Sequence, residues 1–217
     1  MKIKDYFGKS ISRQFVALLF FFSLLFLIGC AFLALSQKQL NNRYAEEREV
    51  ILEKISITRE LQDKLETALS EARGYFAFNN PEMRSSALKM DAKTNKLIQR
   101  LKAIATTDED AVLVEELVNF HSYYFQDILP KALNYFDEGE VDKVVKISDD
   151  GGTDRINHIK GSLNNYLHSM TNELNDKVNE LNKNIIIFQI CFLVYIIFIM
   201  MVIYFIGRAG FNKIANR

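Results

Sequence analysis

The sequence predicts an all-α fold in which two transmembrane helices flank an extracytoplasmic, antiparallel four-helix bundle. Two uncharged apolar runs, residues 14–36 and 185–207, enclose a polar stretch at residues 37–184. Within that stretch apolar residues recur at steps of three and four, which is the spacing of helices that bury one face. The whole chain contains 2 Pro and 9 Gly, so few residues interrupt long helices.

The first apolar run follows a basic tail. Residues 1–13 carry four bases and one acid. As a helix that rises about 1.5 Å per residue, residues 14–36 reach about 34 Å, enough to cross a hydrocarbon core of about 30 Å. Because short cytoplasmic segments are enriched in Lys and Arg, we expect the tail in the cytoplasm and residues 37–184 outside it.

An alternative interpretation of this run concerns Cys30. Residues 27–30, with the sequence LIGC, resemble the site at which bacterial lipoproteins are cleaved and acylated on cysteine. The run stays apolar through residues 31–35, where a processed signal normally turns polar, and this favours an uncleaved span. Whether Cys30 carries a lipid stays open. The second cysteine, Cys191, lies in the other apolar run, so no disulfide is available to residues 37–184.

The first bundle helix is predicted at residues 37–78. It ends at Asn79, Asn80 and Pro81, because the residue before a proline is driven out of the α region and proline is tolerated at the start of the next helix. Its seam repeats every three or four residues after a first step of seven: Ile51, Thr58, Leu61, Leu65, Leu69, Ala72 and Phe76.

Residues 106–110 separate the second and third helices. Thr107 is the predicted N-cap of the third helix, and the acidic residues 108–110 in its first turn suit the helix dipole. The third helix is predicted to close at residues 137–139.

A short helical piece at residues 140–147 precedes the last bundle helix, which is predicted at residues 153–184 with Thr153 or Asp154 as its cap. The acidic turn before it lacks the alternating oxygen ligands of a calcium loop. The seam of the last helix is Ile156, Ile159, Leu163, Leu167, Met170, Leu174, Val178 and Leu181.

The second apolar run leads into residues 208–217, which carry three bases and no acid and form a cytoplasmic tail or the start of a linker to an output domain. Neither residues 36–38 nor residues 183–185 contain proline. We therefore expect the first and last bundle helices to continue into their spans. A displacement of one helix against the other would then reach the cytoplasmic face without a flexible joint.

The net charge of zero conceals an acidic outer segment. Residues 37–184 carry 20 bases against 26 acids, a net charge of about −6. Binding to nucleic acid requires a basic surface, so we expect no nucleic-acid partner.

No pattern in the chain predicts catalysis. There is no Gly-rich phosphate loop, no zinc motif and no nucleophile elbow. His158 and His168 are ten residues apart on one helix and cannot share an ion. We expect these two histidines and His121 to be solvated or to form hydrogen bonds between helices. The chain is predicted to be no enzyme and to need no metal or cofactor.

Arg73 is the strongest candidate for binding a ligand. Its guanidinium can hold a carboxylate through two hydrogen bonds, and it lies near the end of a helix whose apolar face is buried. In the alternative, Arg73 pairs with Glu71, Glu82 or a helix C-terminus and fixes the turn.

Tyr123 and Tyr124 are further candidates, in an aromatic cluster with Phe120 and Phe125. Their rings can receive an apolar or cationic ligand. In the alternative, they are core residues of a bundle helix.

The order span, helical bundle, span resembles the input half of bacterial transmembrane receptors, both methyl-accepting chemotaxis receptors and the CHASE-type sensors of histidine kinases and diguanylate cyclases. Residues 71–76 (EARGYF) and 79–82 (NNPE) are similar to the elements that end the first helix in the CHASE-type group. The resemblance adds Tyr75 to the candidate ligand-binding residues. It also implies a homodimer.

The resemblance implies a sensory module that detects an unknown extracytoplasmic ligand or protein and signals to a cytoplasmic kinase, cyclase or chemotaxis domain. Such receptors continue into a linker and an output domain, whereas here residues 208–217 follow the second run and lack the proline often found where the linker starts. The chain is therefore expected to be either the input part of a longer receptor or a free-standing, membrane-anchored interaction or scaffold protein.

Overall fold

The computed structural model describes the backbone of residues 2–215 and the side chains of residue 17 and residues 20–208. Nearly all of these residues are helical and none of them forms a β-strand, which confirms the all-α prediction. In chain order the elements are α1 (Lys2–Phe78), α2 (Pro81–Ala103), α3 (Asp108–His121), a first π-helix (Ser122–Ile128), α4 (Leu129–Asp137), α5 (Val141–Ile147), a second π-helix (Ser148–Gly152) and α6 (Thr153–Ala215).

The chain divides into two compact units. The central unit is Glu47–Asp176, and the terminal unit combines Met1–Glu46 with Lys177–Arg217. Helices α1 and α6 have residues in both units. Each unit is described below by itself.

The central unit has one hydrophobic core, to which every described element except α5 and the second π-helix contributes buried side chains. The predicted seams account for much of it: Ile51, Leu61 and Leu65 of α1 and Ile159, Leu163 and Met170 of α6 are each at most 4% exposed. Val178, predicted on the same seam of α6, is 43% exposed. It lies in the terminal unit, outside this core.

The predicted breaks at both ends of α2 are confirmed. The side chain of Asn80 caps α2 by accepting a hydrogen bond from the Glu82 N–H at 2.9 Å, and Pro81 is the first helical residue. Thr107 caps α3 through a reciprocal pair of bonds with Asp110: the Asp110 N–H donates to Thr107 Oγ1 and the Thr107 N–H donates to Asp110 Oδ2.

The predicted third helix is interrupted by the first π-helix. Pro130 has no N–H, so the carbonyl four residues before it loses its α-helical donor. Just ahead of Pro130, the Leu129 N–H donates to the Tyr124 carbonyl, five residues back. The wider turn returns to α-helix in α4, which ends at Asp137 as predicted.

The short helix α5 confirms the predicted piece at residues 140–147, but the cap of α6 differs from the prediction. Thr153 has helical dihedral angles (φ −64°, ψ −41°), and its hydroxyl lies 3.0 Å from Ser148 Oγ. The break comes earlier, at Asp150 and Gly151, where Gly151 has a φ of +94°. Glycine adopts that angle without strain, so the turn forms there.

In the terminal unit, α1 and α6 run without a break through residues 36–38 and 183–185, as predicted. Tyr195 contacts α1, since its hydroxyl donates to the Leu25 carbonyl at 2.9 Å and its ring stacks on Phe26. A Cβ on Gly29 would clash with the Tyr195 ring, so glycine permits this close approach.

Both helices contain a segment long and apolar enough to cross a membrane. In each segment, no residue of the most hydrophobic stretch of 18 residues is buried. Phe20, Phe32 and Met200, for example, are each at least 66% exposed. The basic tails at residues 1–13 and 209–217 lie outside the described side chains.

Candidate functional site

The central unit contains a cavity of about 370 Å³, which we call the Tyr124 cavity. Side chains of α1, α4, α5, α6 and both π-helices line it. Most of the lining is apolar and includes Leu69, Phe76, Ile128, Leu129, Val144 and Ile156. A volume in this range suits a small organic molecule.

Both π-helices contribute to this lining. The first supplies Tyr123, Tyr124 and Ile128, and the second supplies Ser148, Asp149 and Gly152. A Cβ on Gly152 would lie 2.7 Å from the Ile147 carbonyl oxygen, so the second turn requires glycine there. Single π-helical turns inside helices occur frequently at functional sites, and the first π-helix is such a turn, which supports the assignment of this cavity as the candidate site. The segment Ser148–Gly152 instead contains the non-helical turn at Asp150 and Gly151.

Arg73 lines the Tyr124 cavity and is itself exposed. Its predicted alternative role, pairing with Glu71 or Glu82, is not observed: among the described side chains no carboxylate lies within ion-pair distance of its guanidinium. The cavity therefore has a cationic group available to an anion.

Tyr124 is the most buried aromatic residue of the lining, at 5% exposure. Its ring stacks on Phe120 and meets Phe125 edge-on, with ring centroids 5.5 and 5.0 Å away. Burial raises the pKa of the Tyr124 hydroxyl, against the opposing effect of the nearby Arg73, so the group remains a protonated donor at neutral pH. That hydroxyl has no hydrogen-bond partner among the described residues.

Tyr123 lies between the Tyr124 cavity and a second cavity of about 260 Å³, and it lines both. The guanidinium carbon of Arg155 stands 4.2 Å from the Tyr123 ring centroid, in a cation–π contact. Arg155 and His158 line the second cavity.

Tyr75 does not line the Tyr124 cavity. Its side chain is buried, and its hydroxyl donates to Asp137 Oδ1, whose other oxygen accepts from Arg84 Nε at 3.1 Å. This hydrogen bond raises the pKa of Tyr75. The structure thus brings three of the four predicted residues to one cavity and places the fourth in an interhelical contact between α1, α2 and α4.

A second polar arrangement, which we call the Asp110 cluster, was not predicted from the sequence. The Asp110 side chain is fully buried. Its Oδ2 accepts from Lys54 Nζ at 2.6 Å and from the N–H groups of Thr106 and Thr107, and its Oδ1 accepts from the Tyr166 hydroxyl at 2.5 Å. The cluster therefore joins α1, α3 and α6.

The electrostatics of the Asp110 cluster follow from these partners. Burial by itself would raise the pKa of the Asp110 carboxyl, but the hydrogen bonds from Lys54, Tyr166 and the two backbone N–H groups outweigh it, so the pKa falls well below its usual value. Burial raises the pKa of Tyr166, and its hydrogen bond to the Asp110 carboxylate raises that pKa further. At neutral pH Asp110 is a carboxylate and Tyr166 is a phenol.

One sequence signal pointed to this cluster. Lys54 lies between the seam residues Ile51 and Thr58 at steps of three and four, so the helical period places its ammonium on the buried face of α1. A lysine there requires an acidic partner, since a buried charge is retained only when it is paired. The partner was not evident, because Asp110 also fits the pattern of an ordinary acidic first turn.

The metal-binding potential of the described residues is low. They contain no group of three or more His, Cys, Asp and Glu side chains that could hold an ion. His121 is 5% exposed, and its Nε2 lies 2.7 Å from Asp91 Oδ1, an interhelical contact of the predicted kind.

No protein-family model matches the chain, and no curated protein or solved structure is significantly similar to it.

Proposed function

We propose that this chain is the sensory input module of a bacterial transmembrane signal receptor. Residues 37–184 then form an antiparallel four-helix bundle outside the cytoplasm, residues 14–36 and 185–207 cross the cell membrane, and both termini lie in the cytoplasm. The module acts as a homodimer. Its output is a kinase, cyclase or chemotaxis signalling domain, in the same chain or in a partner protein, and no catalysis occurs in residues 1–217.

The Tyr124 cavity is the observation that carries this proposal. Residues of α1, such as Leu69 and Phe76, and of α6, such as Ile156, line the same cavity. A ligand inside it contacts both helices and stabilises whichever of their packings it fits better, which is a shift of population between two states. Helices α1 and α6 are also the two that contain the long apolar segments.

The exposure of the apolar segments supports the membrane part of the proposal. A helix of the same composition in the core of a soluble protein would be mostly buried. Here large apolar side chains such as Phe20, Leu35, Ile190 and Phe205 are each at least 58% exposed. A bilayer removes this surface from water, and the predicted excess of Lys and Arg in both tails orients the spans.

The topology is tested with a membrane-impermeant maleimide on intact cells, after both native cysteines are replaced by alanine. A cysteine at the exposed Asn157 should be labelled from outside. The matched cysteine at Lys213, in the second tail, should react only after the cells are permeabilised. Labelling of both positions, or of neither, in intact cells would contradict the proposed orientation.

Transmission is tested by filling the cavity. Ala132 is 7% exposed and lines the Tyr124 cavity, so Ala132→Phe occupies it permanently, whereas Lys131→Phe places the same ring on the exposed neighbouring residue. Pairs of cysteines along α1 and α6 near Gly29 and Tyr195 report the packing of the two apolar segments. We expect the Ala132→Phe chain, and not the Lys131→Phe chain, to change the crosslinking pattern. Identical patterns would favour a scaffold that relays no signal.

A further inference from the structure

The buried tyrosines of the central unit differ in what their hydroxyls bind. Tyr75, Tyr124 and Tyr166 are each at most 5% exposed. The Tyr75 hydroxyl donates to the carboxylate of Asp137, and the Tyr166 hydroxyl donates to the carboxylate of Asp110. Tyr124 has no such acceptor among the described residues, and its hydroxyl oxygen is not one of the buried polar atoms that lack a partner, so it is accessible from the cavity that the residue lines.

Two polar groups of the same cavity indicate the chemistry of the ligand that it can bind. Arg73 has no carboxylate partner in the described part of the chain, and Tyr124 offers a protonated hydroxyl. A cation and a hydrogen-bond donor in one apolar cavity both favour an anionic acceptor. A ligand that pairs with both groups therefore carries a carboxylate, like the two side chains that accept from Tyr75 and Tyr166.

The rest of the lining limits the ligand further. Apart from Arg73, Asp149 is the one charged residue along the cavity wall. Arg73 can balance one carboxylate of a ligand, whereas a second carboxylate would meet the charge of Asp149 with no cation left to balance it. A dry apolar cavity of about 150 Å³ takes one benzene molecule, so about 370 Å³ takes a ring together with a short chain. The remaining wall is mainly aliphatic and aromatic, and it favours an apolar body.

We propose that the Tyr124 cavity binds a small organic acid, with one carboxylate on an aromatic or branched apolar body. The guanidinium of Arg73 pairs with the carboxylate, and the hydroxyl of Tyr124 donates to it. This inference rests on the proposed sensory function, for which it names the class of ligand.

The test is calorimetric titration of the full chain in lipid nanodiscs. The probes are isovalerate, phenylpropionate and naphthylacetate, which share one carboxylate and increase in size. Phenylpropionamide has the shape of phenylpropionate without the charge, and phenylsuccinate adds a second carboxylate. We expect at least one monocarboxylate to bind and the amide and the diacid to bind about tenfold more weakly or worse.

Two substitutions locate the carboxylate. Arg73→Gln should weaken binding of the best acid about tenfold or more, and Tyr124→Phe should weaken it about threefold to tenfold. Arg59→Gln and Tyr135→Phe are the matched controls, because neither residue lines the cavity, and both should leave the affinity unchanged. Far-UV circular dichroism checks that all four chains remain helical.

Four results would overturn the proposal: no saturable binding of any monocarboxylate at millimolar concentration, equal binding of phenylpropionate and its amide, tighter binding of the diacid, or unchanged affinity in Arg73→Gln. The best acid is then added to the crosslinking experiment. Binding without a change in crosslinking would preserve the ligand class and contradict the sensory function. If the Ala132→Phe chain changes its crosslinking pattern but no acid binds the wild-type chain, the sensory function is supported and the proposed class of ligand is contradicted.

Discussion

The Asp110 cluster and the Tyr124 cavity lie in the same central unit and differ in whether their polar groups have hydrogen-bond partners. In the cluster, a fully buried carboxylate accepts hydrogen bonds from Lys54, Tyr166 and two backbone N–H groups. In the cavity, the Tyr124 hydroxyl and the Arg73 guanidinium have no such partners among the described residues. Hydrogen bonds to a buried carboxylate stabilise the fold, whereas accessible groups without protein partners remain available to a ligand, so the cluster is suited to hold the fold and the cavity is suited to bind.

The largest effect is expected from Asp110→Asn. The substitution removes the negative charge and leaves the Lys54 ammonium, at 3% exposure, buried without an ionic partner. Breaking one partner of a buried ion pair typically reduces the free energy of unfolding by about 3–5 kcal/mol. Denaturant titration of the detergent-solubilised chain, followed by far-UV circular dichroism, measures this loss. Asp108→Asn, at the exposed start of the same helix, is the control, and an equal loss there would contradict the role given to the cluster.

The contribution of Asp110 to the stability of the folded chain depends on pH. Because the pKa of Asp110 is lower in the folded chain than in the unfolded one, its stabilising effect is complete above the unfolded value of about 4 and is lost as the pH falls toward the folded value. We therefore expect the stability difference between the wild-type and Asp110→Asn chains to narrow as the pH is lowered from about 7 to about 3. Denaturant titrations at several pH values measure it. A difference that stays constant or widens in acid would contradict the assigned shift.

A matched pair of tyrosine substitutions compares the two regions directly. Tyr166→Phe removes a hydrogen bond to a charged group, for which we expect a loss of about 1.5–3 kcal/mol in the free energy of unfolding. Tyr124→Phe removes a hydroxyl that has no partner among the described residues and is accessible from the cavity, so we expect a change of no more than about 0.5 kcal/mol. The same denaturant titration measures both. Similar losses in the two chains would show that Tyr124 is bonded after all.

Local features of the sequence explain which parts of the fold were predictable. The caps Asn80 and Thr107 act on residues two or three positions away, so their chemistry can be read from adjacent letters. The first π-helix also has a local cause, in Pro130, but proline in a helix is compatible with several outcomes, including a kink or a new start. Pro130 therefore predicts that the helix is irregular at this point but does not predict that the irregularity is a π-helix.

The Asp110 cluster and the Tyr124 cavity also differ in how far the sequence predicts them. Lys54 and Asp110 are 56 positions apart, and nothing in a single sequence tells which acid meets a lysine on a helical seam. Arg73, Tyr123 and Tyr124 were predicted from residue type and line the cavity. Tyr75, which the resemblance added and which lies two residues after Arg73, instead donates to Asp137. Residues two apart on a helix face in different directions, so the packing of helices decides which of them reaches a cavity.

The smallest expected effect extends the comparison to α2. Thr94 is 5% exposed, and its Oγ1 is buried without a hydrogen-bond partner among the described atoms, whereas Thr58 Oγ1 donates to the Lys54 carbonyl at 2.8 Å. Valine has nearly the shape and helix propensity of threonine, so Thr94→Val removes an unbonded hydroxyl and little else. We expect a gain of up to about 1 kcal/mol in the free energy of unfolding, and a small loss for Thr58→Val. The contrast is measured from the denaturation midpoints of both chains. A loss of stability in Thr94→Val would mean that the Thr94 hydroxyl forms a hydrogen bond, as the side chains of the Asp110 cluster do, and would contradict its assignment as an unbonded group.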